Sequence, residues 1–161
     1  MLQSSSFKGY TILETVVYIG ILAVIAVLAL GAILSIYQSF AKTQIERKLA
    51  LSGDVALETM IKELRAATTI SPASVFGANP GALQLGSKRF FLSGNTLQIK
   101  DGAGSPENLT ASDVTVSNLI FYKTASANSE IIKIEMALQA GSGKFLKTKN
   151  FYGSAVMRGA Y

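Results

Sequence analysis

The first forty residues of the chain follow a different hydrophobic pattern from the rest. Residues 16–30 are apolar on every side of a helix, and no charged residue occurs from 15 to 41. A helix that is apolar all round lies in lipid or among similar helices. The 22 residues from 15 to 36 also rise far enough, at about 1.5 Å per residue, to cross a bilayer. The pattern therefore predicts a membrane-spanning helix over residues 10–37.

Beyond residue 42 the apolar positions lie on only one side of a helix. They recur at helical spacing: Ile45, Leu49, Ala56, Met60, Leu64 and Ala67. No turn signal appears until Pro72, so the pattern predicts one helix over roughly 11–68, about 85 Å long. Its amphipathic half, residues 38–70, has an apolar stripe against which a sheet can pack. Gly53 is its predicted weak point and a possible bend.

After Pro72 the apolar period changes from 3.6 residues toward two. Two short segments, 82–85 and 89–92, lead into the turn Ser93-Gly94-Asn95, and segment 96–100 follows it. This order predicts a hairpin. Segments 114–122 and 131–138 are the clearest strands, with a polar connection between them, and 145–156 is the predicted last strand. We therefore predict an α+β fold in which a small antiparallel sheet, residues 71–161, packs on one long N-terminal helix.

The composition excludes several classes of chemistry. The chain has 161 residues, a net charge of +5, no Cys and no His, so disulfides, thiolate metal sites and Ser-His-Asp catalysis are impossible within it. A Ser/Lys dyad stays open, so an anchored hydrolase is not excluded. The basic residues are scattered rather than interleaved with aromatics, which favours a position beside an anionic membrane face over nucleic-acid binding. We expect no cofactor.

Three acidic residues are candidate calcium ligands. Asp101, Glu107 and Asp113 are spread over residues 101–113, around the loop sequence Asp-Gly-Ala-Gly. A calcium site needs several oxygen ligands close together. Ordinary loop chemistry explains these residues better, so we predict no metal site.

The acidic residue at the head of the apolar run is the most informative single position. An ionised carboxylate within a bilayer is costly, and an intramembrane acid therefore indicates a function. Glu14 lies at this boundary, and Gly9 ends a short leader that carries one positive charge, at Lys8. A glycine at the end of such a leader suggests a cleavage site.

The segment Lys8-Gly9-Tyr10-Thr11-Ile12-Leu13-Glu14 resembles the class III signal of type IV prepilins and type II secretion pseudopilins. That signal has a basic leader, Gly, an aromatic residue or Met, Thr, two apolar residues and Glu. The resemblance implies that residues 1–9 are a leader removed after Gly9 by a prepilin peptidase, and that the same enzyme N-methylates Tyr10. Tyr in place of the family's usual Phe or Met is a departure that keeps an aromatic ring.

The resemblance also implies a role for Glu14 in filament assembly. In lipid this carboxylate needs a positive partner, and the freed amine of Tyr10 in an adjacent subunit is available. The chain would then be a structural subunit rather than an enzyme. Its partners would be the peptidase, other pilin or pseudopilin subunits and an inner-membrane assembly platform. It would cross the inner membrane once, with residues 71–161 outside the cytoplasm. Gly31 replaces a proline common in the family, which favours a minor subunit.

Two other interpretations of the N-terminus remain open from the residues alone. A cleaved signal peptide could be cut near Gly31, although an acid at the start of its apolar core suits that role poorly. A plain signal anchor could instead hold a binding module that never polymerises, but it gives no reason for Glu14. Adhesion, twitching, DNA uptake and protein secretion all stay open as the process that such a subunit would serve.

Overall fold

A computed structural model describes residue 9, residues 11–126 and residues 129–157 of the chain. Helix α1 runs from Ile12 to Ala66, which confirms the predicted long helix. By length and composition, this helix contains a stretch that could cross a membrane. The chain divides into two compact units, one up to Ala41 and one from Lys42 onward. In the first unit the large apolar side chains of α1 are exposed.

The first sheet of the second unit contains four antiparallel strands in sequential order. They are β1 (Leu83–Leu85), β2 (Lys88–Ser93), β3 (Thr96–Asp101) and β4 (Glu107–Asn108). Ser93 pairs with Thr96 across a two-residue turn, in which Gly94 has a positive φ of 59°. A glycine at the first turn position allows this conformation without strain. The predicted hairpin is therefore confirmed.

The second sheet contains three antiparallel strands, also in sequential order. They are β5 (Val114–Ser126), β6 (Ser129–Ala140) and β7 (Lys147–Val156), and a short 3-10 turn, Gly143–Phe145, precedes β7. The two clearest predicted strands and the predicted last strand are all present. β5 and β6 extend further toward each other than predicted and take in most of the polar connection.

The prediction of a single sheet was wrong, and the edge of β3 that faces away from β2 gives the physical reason. The Leu97 amide donates to the Thr110 hydroxyl at 3.2 Å, and the Leu97 carbonyl accepts from the Leu109 amide at 2.8 Å. Because the segment after β4 occupies these backbone groups, β5 cannot continue the first sheet at this position. It pairs with β6 instead and begins a second sheet.

The core of the second unit lies between the amphipathic half of α1 and both sheets. Four α1 side chains at helical spacing are buried in it: Leu49, Ala56, Met60 and Leu64. From the sheets, the largest fully buried side chains are Phe90 and Phe121. The stripe predicted from the sequence is therefore the surface on which the sheets pack.

Gly53 has a packing role that the sequence did not indicate. Helix α1 continues through it without interruption, and the residue is buried. A Cβ atom at this position would overlap the aromatic ring of Phe151 on β7. Helix α1 and strand β7 therefore approach each other closely at Gly53.

Ion pairs join the amphipathic half of α1 to the rest of its unit. Glu63 pairs with Lys88 at 2.8 Å, and the hydrogen bond from Lys88 to Glu63 raises the pKa of that lysine. Lys48 pairs with Asp113, and its hydrogen bond lowers the pKa of the Asp113 carboxyl. Both groups of the Lys48–Asp113 pair are about half exposed, so solvent screens much of the interaction.

The lowered pKa of Asp113 predicts a pH-dependent contribution to stability. Such a carboxylate stabilises the fold above its unfolded pKa of about 3.9, and this contribution is lost as pH falls through the folded pKa. We expect Lys48→Gln to lower the free energy of unfolding by less than about 1 kcal/mol at pH 7 and to have almost no effect once Asp113 is protonated. Thermal unfolding of the detergent-solubilised chain measures both values. Lys62→Gln, at an exposed position on the same helix, is the control; an equal pH dependence there would contradict the assignment.

Candidate functional site

The first turn of α1 is capped by the threonine of the signal-like segment. The Glu14 amide donates to the Thr11 hydroxyl at 3.3 Å, and the helix begins at Ile12. A threonine three residues before a glutamate is a common start of a helix, because its hydroxyl satisfies an amide without an intrahelical partner. The carboxylate also lies in the first turn, where the helix dipole favours negative charge. The Thr11–Glu14 spacing is a sequence signal that could have predicted this cap.

Glu14 has a partner on its own helix. The hydroxyl of Tyr18 donates to Glu14 Oε1 at 3.3 Å, across a spacing of four residues that brings side chains together on one helix face. Large exposed apolar side chains surround the pair in sequence, among them Leu13 and Val17. A single neutral donor offsets only part of the cost of placing an ionised carboxylate in lipid. Glu14 therefore still favours a positively charged partner.

Of the two residues at the predicted cleavage site, the structure describes one. Gly9 is exposed, and a Cβ atom there would have no heavy atom within 4 Å. Tyr10, the predicted new N-terminus and methylation site, lies outside the described residues, as does Lys8. The geometry thus places Glu14 and its cap at the start of α1, close in sequence to the exposed Gly9.

The two glycines of the apolar part of α1 have open surroundings. A Cβ atom at Gly20 or Gly31 would meet nothing within 4 Å. In contrast to Gly53, packing within the described part of the chain does not require a glycine at these two positions. Small residues on an apolar helix allow another helix to approach closely.

The three candidate calcium ligands have separate surroundings. Asp101 accepts a hydrogen bond from the Ser87 hydroxyl at 2.7 Å, Asp113 pairs with Lys48, and Glu107 is exposed on β4. Over the residues that the structure describes, no cluster of three or more His, Cys, Asp or Glu side chains could hold a metal ion.

Comparisons with protein-family models, with curated proteins and with solved structures each found no match. The functional assignment therefore depends on the residues themselves. Two features carry it: the signal-like segment that ends at Glu14 and the membrane-length apolar helix that begins beside it.

Proposed function

We propose that this chain is a type IV pilin-like structural subunit, in a minor position of a pilus or pseudopilus. The observation that carries the proposal is the placement of Glu14. It is fixed in the first capped turn of a helix long and apolar enough to cross a membrane, five positions after the Gly9 of the signal-like segment. A signal anchor by itself requires no acid there.

Processing precedes assembly in this proposal. A prepilin peptidase removes residues 1–9 and methylates the new amine of Tyr10. Before cleavage, the nitrogen of Tyr10 belongs to an uncharged amide, so it cannot pair with a carboxylate. Cleavage creates the positive charge, and methylation keeps it because a secondary amine is still protonated at neutral pH.

Assembly then pairs Glu14 of one subunit with the Tyr10 amine of the next. The carboxylate is costly in lipid, and a missing partner in a buried ion pair carries a penalty of about 3–5 kcal/mol. Pairing therefore sets the register between subunits more than it adds net stability. Before a second subunit arrives, the hydroxyl of Tyr18 gives Glu14 a partial partner.

We place the unit that begins at Lys42 outside the cytoplasm, with α1 crossing the inner membrane once and an inner-membrane platform and other pilins as partners. This orientation leaves Lys42, Arg47 and Lys48 on the outer side and Lys8 on the inner side, against the usual excess of basic residues on the cytoplasmic side. A long domain is translocated largely regardless of such charges.

A second candidate is an anchored extracytoplasmic binding module that does not polymerise. The Tyr18–Glu14 hydrogen bond favours it, because the bond gives the acid a partner within one chain. The two candidates differ in what they require of the N-terminus: only the pilin-like subunit needs a free amine at Tyr10.

N-terminal sequencing and intact mass of the chain from native membranes test the proposal. We expect a mature chain that begins at Tyr10 and carries one additional methyl group. A chain that keeps residues 1–9 in cells containing the peptidase would contradict the proposal and favour the anchored module. A cut near Gly31 would instead identify a secretory signal peptide.

A further inference from the structure

One end of the second unit contains its first residues, from Lys42 onward. Two segments that are far apart in sequence lie side by side at this end. A Cβ atom on Gly141, between β6 and β7, would lie 3.0 Å from the Cδ1 atom of Ile45. Lys147 Nζ is 3.4 Å from Glu46 Oε1. These contacts place the β6–β7 connection beside the first residues of the amphipathic half of α1.

Basic side chains are concentrated at this end of the unit. We call the following five the basic end: Lys42, Arg47, Lys48, Lys144 and Lys147. Within the described part of this end, the acidic side chains beside them are Glu46 and Asp113, so an excess of three positive charges remains. The charge is also accessible: Lys42, Arg47 and Lys144 are exposed, and the Lys147 side chain is 43% exposed.

An apolar side chain projects from the same connection. Leu146 is 51% exposed and lies between Lys144 and Lys147 in sequence. Lys144 Nζ lies 5.0 Å from the centroid of the Phe145 ring. An exposed leucine needs no explanation by itself, but an apolar side chain flanked by lysines suits the boundary between lipid headgroups and acyl chains.

We propose that the basic end binds the anionic phospholipid surface of the membrane that α1 spans. Lys42 follows Ala41, the last residue of the charge-free run, so the covalent chain holds the basic end close to the bilayer. At physiological salt the attraction between a basic residue and an anionic lipid surface extends about 8 Å. The lysines supply this attraction, and Leu146 enters the interface between them. The inference requires the membrane span but not filament assembly.

The absence of cysteine from the chain makes a site-specific depth measurement possible. Ser142 is exposed beside the basic end, so Ser142→Cys carries one fluorescent label and leaves Lys144, Leu146 and Lys147 intact. The full chain is reconstituted in nanodiscs that contain a phosphatidylcholine with a nitroxide on its headgroup, with or without phosphatidylglycerol. Thr68→Cys, exposed beyond the end of α1, provides the reference label.

We expect stronger quenching at position 142 than at 68 when phosphatidylglycerol is present, and a large loss of that quenching without it or at high salt. Lys144→Gln with Lys147→Gln should lower the ratio of docked to undocked chains by roughly fivefold for each lysine. Lys62→Gln with Arg65→Gln removes the same charge at exposed positions further along α1 and should change nothing.

Equal quenching at position 142 with and without phosphatidylglycerol would overturn the proposal, as would equal effects of the two double substitutions. The outcome is separate from that of the proposed function. A chain that docks in this way but keeps residues 1–9 in cells would retain this inference and contradict the pilin-like assignment.

Discussion

Glu14→Gln is expected to exclude the subunit from filaments while leaving it folded and inserted in the membrane. The amide has nearly the size of the carboxylate and can still accept a hydrogen bond from Tyr18, but it cannot form an ion pair with an amine. Loss of one partner from a buried ion pair costs about 3–5 kcal/mol. Since each 1.4 kcal/mol is a factor of ten, incorporation should fall by roughly two to three and a half orders of magnitude. Glu14→Ala should behave in the same way.

Co-purification of partner pilins and the number of filaments per cell measure this effect. Tyr18→Phe is the matched control, because it removes the hydroxyl that donates to Glu14 and keeps the ring and the charge. We expect Tyr18→Phe to assemble far better than Glu14→Gln. Normal filaments and normal co-purification from Glu14→Gln would show that the charge is not needed, and the role of Glu14 would then be limited to its own helix.

Gly53→Ala is expected to destabilise the unit that begins at Lys42, although alanine is the better helix former. Helix propensity alone would favour alanine over glycine by about 1 kcal/mol. Against this, the new Cβ atom would overlap the ring of Phe151, and excess volume in a packed core costs about 1–3 kcal/mol. Because both residues are buried between α1 and β7, the overlap outweighs propensity, and the thermal unfolding midpoint should fall.

Two further variants separate overlap from other causes. Gly31→Ala introduces the same methyl group on the same helix where nothing lies within 4 Å, so it should not destabilise the chain. Phe151→Val replaces the ring with a smaller side chain. Combined with Gly53→Ala, it should show a favourable coupling free energy in a double-mutant cycle. Additive effects of the two substitutions would mean that the contact with Phe151 is not the cause.

Local patterns predicted most of the elements correctly. The change from an apolar to an amphipathic helix, the hairpin around Gly94 and the strands from β5 to β7 all follow from periodicities of 3.6 and two residues. Such periodicities describe a segment and its surroundings, so they do not state which strand edges remain free. The division into two sheets depends on the hydrogen bonds of Leu97 with Leu109 and Thr110, which no periodic pattern encodes.

In the candidate site, too, some features follow from the sequence and others only from the tertiary structure. The acid at the front of the apolar run could be identified from the sequence because charge in lipid is costly wherever the helix lies. Its cap on Thr11 and its bond with Tyr18 involve spacings of three and four residues, so they could also have been predicted. The basic end could not, because residues 42–48 and 144–147 meet only through the packing of α1 against the β6–β7 connection.

The sequence by itself determined that this protein has one helix of membrane length, an acid at its start and no histidine or cysteine chemistry. These are properties of composition and of neighbouring residues. Only the tertiary structure decided why Gly53 is a glycine. A larger side chain at position 53 would overlap the ring of Phe151 on the last strand. The two residues are far apart in sequence, so this contact exists only after the sheets have packed against the helix.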